Sequence, residues 1–131
     1  MANDLFEYAA EQAQDHGPER DEPGAWIDWT TRQQTRASDP TSSAWVSANA
    51  GSGKTHVLTQ RVIRLLLAGC RPSAILCLTY TKAAASEMSS RVFDRLADWA
   101  TLSDTALKDR IATIEGRIPD AIKLKEARRL F

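Results

Sequence analysis

Ala44-Trp45-Val46-Ser47-Ala48-Asn49-Ala50-Gly51-Ser52-Gly53-Lys54-Thr55 is the stretch on which the reading of this chain turns. Its opening residues, with β-favouring Trp45 and Val46 and glycines on the right, have the pattern of a buried strand running into a tight turn. Beyond the turn the period changes: Leu58, Val62, Leu65 and Leu66 share one face of a helix that Gly69 and Pro72 stop. Strand, glycine-rich turn and helix together give Gly-Ser-Gly-Lys-Thr a mechanism. The glycines remove Cβ atoms that would hold a phosphate away, the loop N–H groups turn inward, and the helix dipole adds positive charge. Lys54 is placed to reach the β- and γ-phosphates of a nucleotide, and the Thr55 hydroxyl is a hard ligand for Mg²⁺. Ala48, Asn49, Ala50, Gly51, Ser52, Gly53, Lys54 and Thr55 are therefore the candidate nucleotide-binding set, with Lys54 and Thr55 the candidate catalytic pair. Ala48 stands where the usual pattern has Gly, and a small residue keeps the cradle open. The competing reading is a loop that only turns the chain.

Downstream, Ala74-Ile75-Leu76-Cys77-Leu78 reads as a second buried strand, and Ala85, Met88, Val92, Leu96 and Trp99 then recur at helical spacing. The junction between them, Leu78-Thr-Tyr-Thr-Lys-Ala-Ala-Ala-Ser-Glu-Met88, carries two hydroxyls, an aromatic ring and a lysine. That is a suitable kit for single-stranded DNA, with Thr79, Thr81 and Lys82 for phosphates and Tyr80 for a base. It is equally the composition of a capped helix start, with Tyr80 as a packing residue, and the residues alone leave both open. Asp104 can cap a third helix with the apolar face Leu107, Ile111 and Ile114 and an end at Gly116. A fourth helix begins near Pro119-Asp120, and its bases Lys123, Lys125, Arg128 and Arg129 read as a solvated face with no stop signal before Phe131. The order strand, helix, strand, helix makes the expected class α/β with a parallel sheet flanked by helices. Two strands cannot complete such a sheet, so the chain reads as one cut piece of a longer protein.

Upstream, residues 26–37 form a polar stretch containing Trp29, Gln33 and Gln34, closed by the turn signal Ser38-Asp39-Pro40. An amide that both donates and accepts is what reading an adenine edge requires, which makes Gln33 a candidate base contact; by default it and Gln34 are solvated polar residues. Residues 1–24 hold seven acids against Arg20 and a cluster of Gly and Pro, so residues 1–28 read as an acidic leader or linker. Across all 131 residues 17 Lys+Arg balance 17 Asp+Glu, and net charge argues for no partner. No apolar run approaches the roughly 20 residues of a membrane span. No secretory signal opens the chain, and a protein that stays in the cytoplasm is expected. Cys70 and Cys77 read as buried free thiols, and His56 as a surface residue of the first helical turn.

Taken in order, three pieces resemble superfamily-1A DNA helicases of the UvrD/Rep type. Trp29-Thr-Thr-Arg-Gln33 is similar to their Q motif, Ala48-Asn-Ala-Gly-Ser-Gly-Lys-Thr55 to motif I, and Leu78-Thr-Tyr-Thr-Lys-Ala-Ala-Ala-Ser-Glu-Met88 to motif Ia with Tyr80 as a conservative departure. Within that superfamily the chain most resembles the AddA family of bacterial helicase-nuclease subunits, which act in double-strand break repair with an AddB-like partner. The resemblance implies a RecA-like P-loop fold, with residues 29–100 starting motor domain 1A and residues 101–131 a helical segment at the start of the 1B insertion. It implies ATP and Mg²⁺ as ligands, with Gln33 on adenine, Gly51 to Thr55 on triphosphate and metal, and Thr79, Tyr80 and Thr81 on single-stranded DNA. Double-stranded DNA ends would be the parent's substrate, resected by helicase and exonuclease activity. The family's acid that orients metal and water, its later arginines, the second motor lobe and the nuclease are not found in this stretch, so the piece alone is expected to be inactive. The alternatives are a UvrD-like helicase without a nuclease, and a small P-loop kinase or non-catalytic nucleotide-binding module.

Overall fold

A computed structural model describes residues 17, 24–47, 49, 51 and 53–130 of the chain. Readings that fall on the leader before Gly24, apart from Gly17, and on Ala48, Ala50, Ser52 and Phe131 lie outside the described residues. Five α-helices follow one another among the described residues: α1 Ala25–Ala37, α2 Lys54–Leu67, α3 Lys82–Thr101, α4 Asp104–Glu115 and α5 Ala121–Arg128, with a 3₁₀ turn at Pro72–Ala74 between α2 and α3.

The expected α/β class with a RecA-like parallel sheet is overturned: the described residues contain no strand. Of residues 44–48 and 74–78, read as buried strands from their apolar runs, 44–47 and 75–78 are irregular, Ala74 ends the 3₁₀ turn, and all of these but the half-buried Ile75 are open to solvent. Trp45 is 92% exposed, Leu76 81% and Leu78 83%. A strand exists only by pairing, since its N–H and C=O groups need a neighbour's ladder, and among the described residues neither run has one.

The helices follow their local signals closely. Thr81 caps α3 by accepting from the Ala84 N–H at 3.1 Å, and Asp120 caps α5 by accepting from the Lys123 N–H at 2.8 Å. The cap of α4 is Ser103, accepting from the Ala106 N–H at 3.2 Å, while Asp104, read as that cap, is the first helical residue. Leu107, Ile111 and Ile114 bury as their spacing requires, and Gly116 ends the helix. In α2 the buried face is rotated from expectation: Val62 and Leu66 are joined by Ile63 and Leu67, whereas Leu58 is exposed.

The core joins Ile63, Leu66 and Leu67 of α2 to Leu96 and Trp99 of α3, Leu107, Ile111 and Ile114 of α4, and Ala127 of α5. Helix α2 touches each of the other four helices and is the hub of the packing. Burial of whole Leu, Ile and Trp side chains contributes about 1.5–3 kcal/mol each before entropy is subtracted. Arg128, read as part of a solvated face, turns inward instead and donates to the carbonyls of Trp99, Ala100 and Leu102 at the end of α3. Lys123 pairs with Glu115 at 2.9 Å. Cys77 is exposed and Cys70 half-buried, both as free thiols, which corrects the reading of two buried ones.

Residues 26–37, read only as polar, are helical. Helix α1 has no buried residue; polar bonds from α2 hold it. Arg61 donates to the carbonyls of Ala37 at 3.2 Å, Asp39 at 2.5 Å and Ser42 at 2.6 Å. Arg64 donates to the Thr35 carbonyl at 2.9 Å and the Ser38 hydroxyl at 3.0 Å.

Candidate nucleotide site

Helix α2 starts where the glycine-rich loop ends, and the backbone of the loop explains why those residues are glycine. Gly51 has φ 80 and Gly53, the residue before α2, φ 89. Both lie in the left-handed region, where a Cβ is strained whatever the free space. Around Gly51 a Cβ would meet nothing within 4 Å, so conformation and not crowding selects glycine there and leaves the loop surface open. At Gly53 a Cβ would come to 2.9 Å from the Gln34 amide nitrogen. The end of α1 bearing the two glutamines thus leans on the loop.

No side chain caps the start of α2, and its first turn carries no acid. The positive end of the helix dipole therefore meets the loop without a carboxylate in that turn to neutralise it. Lys54 is exposed, and its ammonium donates to the Asn49 carbonyl at 2.6 Å, folding back over the loop. Thr55 follows, also exposed, and His56 lies at the surface with Nε2 3.3 Å from the Gln60 amide nitrogen. An open loop of left-handed glycines, a helix N-terminus and a lysine held across it fit a bound phosphate group, and Thr55 offers the adjoining hydroxyl for a cation. Among the described residues no three His, Cys, Asp or Glu side chains cluster as a metal site.

Of the residues expected to meet the base, Gln33 is half-buried on α1, next to the Gln34 that touches the loop. A small cavity of about 120 Å³ lies between α1 and α2, lined by Gln34, Thr35, Ser38, His56, Val57 and Gln60 among others. The turn after α1 is pinned by Asp39, whose Oδ1 accepts from the Thr41 N–H at 2.9 Å and hydroxyl at 2.8 Å. The Thr41 backbone bond above all holds the Asp39 carboxyl below the ordinary carboxylate range.

Thr79, Tyr80 and Thr81 occupy the junction before α3. Tyr80 is fully exposed at 106% and packs against nothing among the described residues. Thr81 is the α3 cap described above, so its hydroxyl has a structural task whatever else it does. Thr79 lines an apolar groove of about 440 Å³ with Val62, Leu66, Met88, Val92 and Leu96, and the lining includes none of the described residues of 49–55. Sequence reasoning left Gln34 as a solvated residue and passed over Arg61 and Arg64. The available signal was the spacing of the two arginines, three apart on one face of the helix that Lys54 begins.

Comparison with known proteins bears on the same stretch. The family model of the UvrD/REP helicase N-terminal domain matches residues 29–120. An ATP-dependent helicase/nuclease subunit of Lactobacillus gasseri is 43% identical over 70 residues, 53% of this chain and 6% of that protein. The protein of the same name from Levilactobacillus brevis is 46% identical over 71 residues, 54% of this chain and 5% of that one. Its namesake from Latilactobacillus sakei is 37% identical over 94 residues, 71% of this chain and 11% of that one. The chain thus spans a small fraction of the length of these relatives. No solved structure matches it. Among the described residues no helix is long and apolar enough to cross a membrane.

Proposed function

We propose, from a chain that belongs to the UvrD/REP helicase N-terminal domain family, that residues 48–55 hold the phosphates of ATP in an ATP-dependent DNA helicase/nuclease. The observation that carries this reading is the backbone of the loop: two glycines at left-handed φ immediately before a helix, with the Lys54 ammonium folded across them. Such a loop presents amides and one fixed charge to an anion with little rearrangement, and phosphoryl transfer depends mainly on positioning and charge neutralisation of this kind. Lys54 would neutralise charge on the outer phosphates. The Thr55 hydroxyl would hold Mg²⁺, which supplies further charge neutralisation between phosphates when bound. Gln33 would hydrogen-bond the adenine edge, and Thr79, Tyr80 and Thr81 would meet single-stranded DNA, with the Tyr80 ring stacking on a base.

That the relatives are helicase/nuclease subunits supports a finer reading. The parent protein acts in the cytoplasm on double-stranded DNA ends, resects them during break repair, and works beside an AddB-like second subunit. The test of the site is Lys54→Ala in the full-length protein. Loss of one preorganised charge contact at the transition state costs about 10²–10³ in rate, so DNA-stimulated ATP hydrolysis should fall by at least that factor with the thermal midpoint unchanged. Hydrolysis within a few-fold of wild type would overturn the reading.

A further inference from the structure

Helix α1 carries Gln33 and Gln34 to the phosphate loop, yet none of its side chains is fully buried. No fully buried side chain anchors it. Arg61 and Arg64 of α2 reach across to the end of α1 and the turn beyond it with five side-chain hydrogen bonds that span 19 to 29 residues of sequence. Arg61 gathers three carbonyls, those of Ala37, Asp39 and Ser42, which fixes the end of α1 and the turn beyond it. Arg64 reaches the Thr35 carbonyl and the hydroxyl of Ser38; that serine is only 4% exposed and itself donates to the Thr35 carbonyl at 3.0 Å. A guanidinium presents its donors in a rigid planar fork, so it holds several acceptors in one arrangement where an ammonium on a flexible stem would not. One turn back along α1, the Gln34 amide rests against Gly53, the residue before α2. The helix rooted in the phosphate loop therefore also carries both arms that hold α1 beside that loop.

We propose that Arg61 and Arg64 are positioning residues for nucleotide recognition: they keep the glutamines of α1 in register with the phosphate loop, so that base and phosphates are read from one rigid unit. This rests on the ATP-site reading above. Neither arginine need touch the nucleotide. Removing one should loosen α1 and weaken base recognition, while phosphate binding, built on the loop and α2 alone, persists. The consequence is selective. An arginine with a purely structural task would lower activity on every nucleotide alike, whereas a positioning residue lowers it only where the base is read.

The experiment measures steady-state hydrolysis of ATP and of GTP by the full-length protein carrying Arg61→Ala, Arg64→Ala, Gln33→Ala or Gln34→Ala, with thermal unfolding of each. We expect Arg61→Ala and Arg64→Ala to raise KM for ATP about tenfold, the scale of one lost hydrogen bond to a base. KM for GTP and kcat on either nucleotide should move less than about threefold, and Gln33→Ala should reproduce the change in ATP preference. Equal loss on ATP and GTP, or an unaltered KM for ATP in both arginine variants, would overturn the positioning role. Should Arg61→Ala fail to fold, Arg64→Ala, which removes only the two bonds to Thr35 and Ser38, decides on the same criteria. Failure of the underlying reading looks different: wild-type protein that takes ATP and GTP equally, or glutamine variants that leave the preference intact, overturns base recognition by α1 itself.

Discussion

Truncating Arg128 to alanine tests whether one side chain closes the end of α3. The last carbonyls of a helix have no donor within it, and at α3 the Arg128 guanidinium takes three carbonyls: Trp99 at 3.2 Å, Ala100 at 3.2 Å and Leu102 at 2.6 Å. It also meets the Asp104 carboxylate at 2.7 Å. The Arg128 side chain is 30% exposed and that of Asp104 81%, so the two kinds of contact differ in weight. Bonds from a cation to carbonyls contribute about 1.5–3 kcal/mol each when solvent is excluded. Water can replace part of that at this partly open site, and about 2–3 kcal/mol is expected for Arg128→Ala in all. The ion pair, with its acid in solvent, contributes about 0–1 kcal/mol, and Asp104→Ala should cost no more than that. Equilibrium urea unfolding of the chain, followed by helical circular dichroism and by tryptophan fluorescence, separates the two variants by their midpoints at constant slope. A loss in Asp104→Ala equal to that in Arg128→Ala would place the energy in the ion pair and refute the capping account; so would a loss below about 1 kcal/mol in Arg128→Ala.

The correction of the second strand has its own measurement: Ile111 is 0% exposed and Leu76 81%. Ile111→Ala should therefore cost about 2–5 kcal/mol and Leu76→Ala within about 0.5 kcal/mol, whereas comparable losses would mean that the run 74–78 is buried after all. Tyr80→Ala in the full-length protein should weaken single-stranded DNA binding by about 1–3 kcal/mol with little dependence on base identity, and Tyr80→Phe should be nearly silent. Because the Tyr80 ring is fully exposed, thermal stability should not move in either variant; unchanged DNA affinity in Tyr80→Ala would remove the ring from the DNA contact.

What was legible in the sequence follows the range over which each signal acts. Thr81, Asp120 and Gly116 bound their helices through bonds that close within four residues, and Leu107, Ile111 and Ile114 share a face whatever the rest of the chain does. Gly51 and Gly53 are local in the same sense, since a left-handed φ is a property of one residue. The left-handed turn of the glycine-rich loop could therefore be read before any fold was known. The strands failed on the opposite ground. Trp45-Val46 and Ile75 to Leu78 have strand composition, but a strand needs a partner that no local pattern supplies, and without one Trp45, Leu76 and Leu78 stand in solvent.

The same distinction explains the residues that were passed over. Nothing in the polar face of α1 announces a helix, because its support comes from Arg61 and Arg64, at least 19 residues away. Arg128 looked solvated because its carbonyl acceptors lie 26 to 29 residues upstream. Apart from the Ser38 hydroxyl and the Asp104 carboxylate, these arginines spend their donors on main-chain carbonyls, and there the identity of the contacted residue leaves no trace in sequence; only the reach and the fork of the arginine do. Exchanging a contacted residue such as Ala37 or Leu102 should accordingly leave these bonds in place, whereas exchanging the arginine removes them. In this chain the conformation of the glycine-rich loop is written locally, and the hold of its helix on the end of α1 is written in arginines that sit on that same helix.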